Sequence, residues 1–128
     1  MDQGFSKDER LKSRKQISRL FSKNKHVFSY PFKFIYITND SESPYPAKVL
    51  ISVSKRSFKR AVDRNHMKRL IRESYRKNKE LIYAPLKDQG MKILVGIIFV
   101  GNEIMDYKKI ESGIIKGLTK LSKEIQKG

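Results

Sequence analysis

The chain has no cysteine among its 128 residues, which excludes a disulfide framework, a thiolate zinc site and a thiol nucleophile together. Histidine is nearly as scarce. His26 and His66 are the only side chains that ordinarily titrate near neutrality, so protein-borne acid–base chemistry has little to work with. Long apolar runs are also missing: the longest, Ile93 to Val100, has eight residues and is interrupted by Gly96, whereas a membrane-spanning helix needs about 20. The opening MDQGFSKDERLKS carries acids and no apolar stretch of the signal-peptide kind, so the protein is expected in the cytoplasm, with no membrane partner. The last shortage is of acids. Thirteen Asp plus Glu stand against 29 Lys plus Arg, a net charge of +16, which favours a polyanion such as nucleic acid as partner. With 38% hydrophobic residues the chain can fill one modest core, so residues 1–128 read as a single domain.

What is present in abundance is concentrated in Val62 to Lys79, VDRNHMKRLIRESYRKNK. At about 100° per residue, Met67, Leu70, Ile71 and Ser74 fall on one side of a helix. Arg64, Asn65, Lys68, Arg69, Arg72 and Arg76 form an arc on the other. A charged helix face is usually only a solvated one, but acids are too few here for i,i+4 pairing. From Lys55 to Lys79 there are eleven Lys or Arg against Asp63 and Glu73. Cations held on one rigid rod repel each other unless a polyanion neutralises them, and phosphate is the obvious one.

Around this helix the pattern predicts a mixed α+β fold. Ser13 to Gln16 is a Ser-x-x-Gln capping box opening a short helix with Ile17, Leu20 and Phe21 on its apolar stripe. Phe32 to Thr38 reads as a strand with Phe32, Phe34 and Tyr36 on one face, and Ala47 to Ser54 as another; the acidic Asn39 to Pro46 connects them. After the basic helix, the segment Ala84 to Gly90, with Pro85 and Gly90, reads as a loop. Met91 to Gly101 is apolar nearly throughout, as in a central strand covered on both faces. Asp106 is placed to cap a last helix with an apolar stripe from Tyr107 to Ile125. The order is helix, two or more strands, basic helix, strand, helix, with a right-handed crossover under the general rule for parallel neighbours.

Other candidate chemistry is weaker. Phe32, Phe34 and Tyr36 are either core residues or a stacking platform for unpaired bases, with Phe21 able to border the same surface. His26 and His66 are far apart in sequence, with no carboxylate evidently placed to orient them as a nuclease pair. Gly113 and Gly117 fit close packing of the last helix on the sheet better than membrane dimerisation. Gly96 to Gly101 lacks the Lys-Ser/Thr of a phosphate-binding loop. Charge and periodicity by themselves reach no further than RNA or DNA binding; a ribosomal or assembly protein that binds structured RNA without turnover is one such reading.

ISVSKR (Ile51 to Arg56), followed by AVDRNHMKRLIRESYR (Ala61 to Arg76), resembles the strand-to-helix signature of the bacterial ribonuclease P protein component, S-V-S-K-[KR] then A-V-x-R-N-R-x-K-R-x-x-R-E. ERLKSRKQISRLFSKNK resembles that family's first helix, with Arg10, Leu11, Lys12 and Phe21 in place. The resemblance implies an α/β sandwich with the second-domain fold of a ribosomal small-subunit protein, and a left-handed βαβ crossover against the general rule. It implies a protein that joins a catalytic RNA subunit to remove 5′ leaders from precursor tRNA. Chemistry would then lie with the RNA and its Mg2+, with no protein catalytic residue, no protein-held metal and no obligate protein partner. RNA contacts would come from Lys55, Arg56, Arg60, Arg64, Asn65, His66, Lys68, Arg69, Arg72 and Arg76, and leader contacts from Phe21, Phe32, Phe34, Tyr36 and Ser52. Two positions depart from the pattern: His66 stands where the motif has its second arginine, and the turn Ser57 to Arg60 lacks the usual glycine.

If five or six cations of the arc each neutralise one phosphate, the log–log salt slope of RNA binding is about −4 to −5. Affinity then falls by roughly two to three decades between 50 and 200 mM salt. A titration series across that range checks this, and a slope near zero would remove the phosphate arc.

Overall fold

The computed structural model describes residues 4–40 and 42–127, so Met1 to Gln3 of the opening segment and Ser41 of the acidic connection lie outside the described residues. The elements are α1 (Arg14–Ser22), β1 (Lys25–Ser29), β2 (Phe32–Thr38), β3 (Ala47–Val53), α2 (Ala61–Asn78), α3 (Glu80–Asp88), β4 (Ile93–Phe99) and α4 (Tyr107–Lys127), after a short 3-10 turn at Lys7–Glu9. The expected caps are made. Ser13 Oγ accepts from the Gln16 backbone N–H at 3.3 Å, and Asp106 Oδ1 from that of Lys109 at 2.9 Å.

One sheet runs β1-β2-β4-β3, antiparallel except for the parallel β3–β4 pair that the α2 and α3 crossover joins. β4 is interior, as its unbroken apolarity requires. β1 is an addition to the sequence reading. Its Lys25, His26 and Phe28 are exposed, so its five residues carry no strong apolar alternation, and register with β2 makes the strand instead.

The segment read as a loop from Ala84 is helical through Asp88. Pro85 removes a backbone donor inside α3, at roughly 3 kcal/mol. Ile82, Tyr83 and Leu86 are buried against α4 and neighbouring core, at about 1.5–3 kcal/mol for each aliphatic side chain, so packing outweighs the proline.

The sheet has unequal faces. Phe32, Phe34, Val49, Val53, Val95 and Ile97 face α2 and α4 and belong to the main core with Met67, Ile71, Ile114 and Leu118. Gly113 and Gly117 let α4 settle closely: a Cβ on Gly117 would lie 2.0 Å from the Phe34 ring, and one on Gly113 would lie 3.1 Å from that of Phe32. The opposite face carries only a small cluster, Leu11, Leu20, Ile35 and Leu94, under α1. Among the described residues no helix is long and apolar enough to cross a membrane.

A buried ion pair ties the start of the chain to the junction of α2 and α3. Glu9 Oε2 accepts from Lys79 Nζ and from the Tyr83 hydroxyl, each at 2.5 Å, and Lys79 also donates to the Gly4 carbonyl. Glu9 has no exposed surface. Burial alone would raise its carboxyl, but hydrogen bonds from Lys79, Tyr83 and the Ser6 backbone hold it below the ordinary carboxylate range.

Lys79→Met strands that carboxylate, and urea unfolding is expected to show a loss of about 3–5 kcal/mol, partly recovered in Glu9→Gln/Lys79→Met. Because the folded Glu9 carboxyl is depressed, its stabilisation is complete above the unfolded value of about 4.3 and is lost as pH falls through the folded one. Glu9→Gln flattens that acid limb.

Candidate RNA-binding surface

α2 stands on an anchored loop. Past β3, the backbone N–H groups of Ser57 and Phe58 donate to the Ser54 carbonyl, and Phe58 is buried with its ring 5.7 Å from Phe99 in a stacked arrangement. Arg64 braces this loop from α2, its Nη1 donating to the carbonyls of Phe58 and Lys59 at 2.8 Å each. No described residue other than Gly90 has positive φ, so the turn needs no glycine.

Along α2, Met67, Ile71, Ser74 and Tyr75 are buried and Leu70 is half-buried. On the outer side, Asn65, His66, Lys68, Arg69 and Arg72, with exposed Val62, line a concavity of about 500 Å³. The expected arc therefore divides in two. Arg64 is spent on carbonyls, Arg60 lies 3.7 Å from Asp63, and Arg76 meets Glu73 at 2.6 Å. That hydrogen bond from Arg76 holds the exposed Glu73 carboxyl below its ordinary value. Among the described residues, Lys68, Arg69 and Arg72, with Lys55 and Arg56 of the loop, make no ion pair with an acid. Arg69 Nη2 lies 3.3 Å from His66 Nδ1, so the imidazole at the motif's second arginine position accepts from a neighbouring cation. His26 sits exposed on β1, across the sheet from the α2 side, so the fold assembles no histidine pair. Among the described residues no group of three or more His, Asp or Glu could hold a metal ion.

The aromatic expectation needs correction. Phe32, Phe34 and Tyr36 share a face, as period two requires, but it is the one covered by α4. Phe32 and Phe34 have no exposed surface, so bases cannot stack on them. Tyr36 is half-buried on that same side, near the end of β2. Ser52 and Phe21 belong instead to the α1 face. There the register aligns Ser52, Ile98, Lys33 and Phe28 in one row across all four strands. α1 covers the other half of that face, with Leu20 above Ile35 and Gly96 and Arg19 donating to the Thr38 carbonyl at 2.7 Å. Two residues beyond Arg19, at about 100° each, Phe21 projects from the opposite flank of α1, toward the uncovered row.

Phe21 is 48% exposed and Phe28 50%, with Tyr30 and Val100 adding exposed apolar surface at the same end. Phe28, Lys33 and Ile98 were missed by sequence reasoning because they come together only through the pairing of β1. A signal existed: Phe28 and Lys33 flank Tyr30-Pro31 symmetrically, as hairpin partners do.

The molecule is thus a small basic α+β protein with one sealed sheet face, one half-open face carrying aromatics, and a helix whose central cations, Lys68, Arg69 and Arg72, pair with no acid among the described residues. A family model described as Ribonuclease P matches residues 5–122. The ribonuclease P protein component of Porphyromonas gingivalis is 34% identical over 119 residues, 93% of this chain and 87% of that protein. That of Petrotoga mobilis is 32% identical over 126 residues, covering 93% and 96%. The solved Staphylococcus aureus RNase P protein superposes with a TM-score of 0.70 at 24% identity, over 88% of this chain and 94% of that one. The Thermotoga maritima RNase P protein gives 0.69 at 22%, over 88% and 96%. Those two likenesses show the fold. The chain belongs to the ribonuclease P protein family, the protein component of a ribonucleoprotein enzyme.

Arg72→Ala removes one unpaired cation, so RNA affinity is expected to drop with the salt slope shallower by about 1 and the melting temperature unchanged. Arg64→Ala frees two loop carbonyls and costs about 1–2 kcal/mol of stability. Paired melting and binding measurements separate the two roles.

Proposed function

We propose that the outer face of α2 holds the catalytic RNA while the half-open sheet face binds the single-stranded 5′ leader of precursor tRNA. The observation carrying this reading is the separation of the two surfaces. Lys68, Arg69 and Arg72 lie on a helix packed against one side of the sheet, and Phe21, Phe28, Lys33, Ile98 and Ser52 lie on the other.

The two surfaces suit different targets. Cations in fixed array on a helix neutralise the phosphates of folded RNA without reading bases. Aromatic and aliphatic side chains around a lysine give an unpaired base a stacking surface and its phosphate a counter-charge, the requirements for binding a single strand of varied sequence. Lys55 and Arg56 follow β3 after Ser54, so the loop bridges from Ser52 on the open face to the start of α2. A leader leaving the row at Ser52 meets cations immediately.

In this reading the protein supplies binding and orientation. The RNA supplies the catalytic groups and the Mg2+ ions, and the protein's charge lowers the Mg2+ needed to hold RNA and substrate together. The place of work is the cytoplasm, with precursor tRNA as substrate and no protein partner required.

Reconstitution with the cognate catalytic RNA tests this at low Mg2+. Stimulated cleavage at the mature 5′ end is expected, with substrate affinity falling when the leader is removed. Phe28→Ala is expected to weaken leader-containing substrate about 5- to 30-fold, as loss of one stacked base does, and to leave leaderless tRNA unaffected. Equal affinity for both substrates in the wild-type holoenzyme would sink the leader assignment. Cleavage by the protein alone would move the chemistry from the RNA to the chain.

A further inference from the structure

Beyond the arc and the open row lies a third surface, at the other end of the sheet and on the α4 side. A cleft of about 640 Å³ opens where the end of β2 and the start of β4 meet the C-terminal end of α4 and the α1–β1 junction. Its accessible apolar wall is the half-buried Tyr36 and Met91, with the buried Ile93 and Ile125 beneath them. Lys23, Lys25 and Lys127 stand around it against a single acid, Glu124. Lys127 lies 3.9 Å from Glu124, whereas among the described residues Lys23 and Lys25 make no ion pair.

The cleft is separate from the surfaces described above. Tyr36 pairs with Lys25 and Val95, and six strand residues at about 3.3 Å each, roughly 20 Å, divide the Thr38–Ile93 end from the Phe32–Phe99 end. It is also remote from the loop at Lys55, which follows the far end of β3.

We propose that this cleft is a second binding site for one unpaired nucleotide of an RNA strand, its base against Tyr36 and its phosphate beside Lys23 and Lys25. The chemistry selects that occupant. A flat, weakly polar body suits a wall of Tyr36 and Met91, an anionic group suits the two unpaired lysines, and Glu124 can accept from an exocyclic amino group of the base. Inorganic phosphate would use the lysines and leave the apolar wall bare, and an acidic peptide would meet Glu124 with like charge. Burial and the nearby Glu124 carboxylate both raise the Tyr36 hydroxyl above its ordinary value, so it remains a donor. The proposal rests on the reading that this chain works on RNA and adds a contact that neither the arc nor the open row provides.

The test uses the full chain with a short oligoadenylate, following the methyl resonances of Ile93 and Ile125, alongside the reconstituted holoenzyme. Oligoadenylate is expected to shift both resonances, and Tyr36→Leu to weaken that response about tenfold, as the loss of one stacked base does. Lys25→Glu, at an exposed position, is expected to weaken the response similarly without altering the fold or the affinity for catalytic RNA. Shifts confined to Phe28 and Ile98 would overturn the proposal and leave the leader assignment standing. So would a response reproduced by inorganic phosphate, or one insensitive to Lys25→Glu. Failure of the wild-type holoenzyme to show protein-stimulated cleavage would instead count against the functional reading beneath it.

Discussion

The approach of α4 to the sheet governs how the rest of the molecule is arranged. Gly117 sits where any side chain would enter the Phe34 ring, and Gly113 does the same, less tightly, beside Phe32. Without Cβ atoms at those positions, the helix comes down far enough to close that face over Phe32, Phe34, Val95 and Ile97. The opposite face has the nine residues of α1, with Leu11 just before them, to cover it. A short helix shelters Ile35 and Leu94 and leaves the row from Phe28 to Ser52 only partly covered, with Phe28 and Lys33 exposed and Ile98 and Ser52 half-buried. One tight contact therefore fixes which aromatic residues are structural and which can meet a ligand.

The second constraint is electrostatic. A helix with this much positive charge loses stability from its own field, and this one is held at both ends by fixed contacts. Arg64 fastens its first turn to the preceding loop, and Lys79, just past its last residue, is neutralised by Glu9 in a buried pair. Arg76 and Lys77 are served by Glu73. The cations left between these anchors, Lys68, Arg69 and Arg72, are carried by the helix and pair with no acid among the described residues. That is the condition under which a phosphate gains charge–charge energy without first breaking an intramolecular ion pair.

Much of this is legible in the amino-acid sequence. The caps at Ser13 and Asp106, the extent of α2, the interior position of β4 and the packing role of Gly113 and Gly117 follow from periodicity and local chemistry, which act over a few residues. The face of β2 was not legible. Period two puts Phe32, Phe34 and Tyr36 together, but it has no sign: it does not say whether the shared side meets a helix or water. Only the long-range placement of α4 answers that: it makes core of Phe32 and Phe34 and leaves Tyr36 half-buried at the end of the strand. β1 and α3 were missed for related reasons, since pairing with β2 makes one and burial against α4 overrides the proline of the other. The inner pair of Glu9 and Lys79, seventy residues apart, had no local signature at all.

His66 shows how a local departure is absorbed. Replacing a guanidinium by an imidazole at this place removes a permanent charge and a forked donor. The ring is half-buried and accepts from Arg69 at 3.3 Å, so the neighbouring guanidinium is held on the same concave patch that Arg72 and Lys68 line. The charge lost at one position is offset by better placement of the next, because a cation already oriented gives up less conformational freedom when a phosphate arrives. On this argument the arc is defined by which cations are free and fixed, and the motif's arginine count is a weaker guide to its strength than the geometry of Lys68, Arg69 and Arg72.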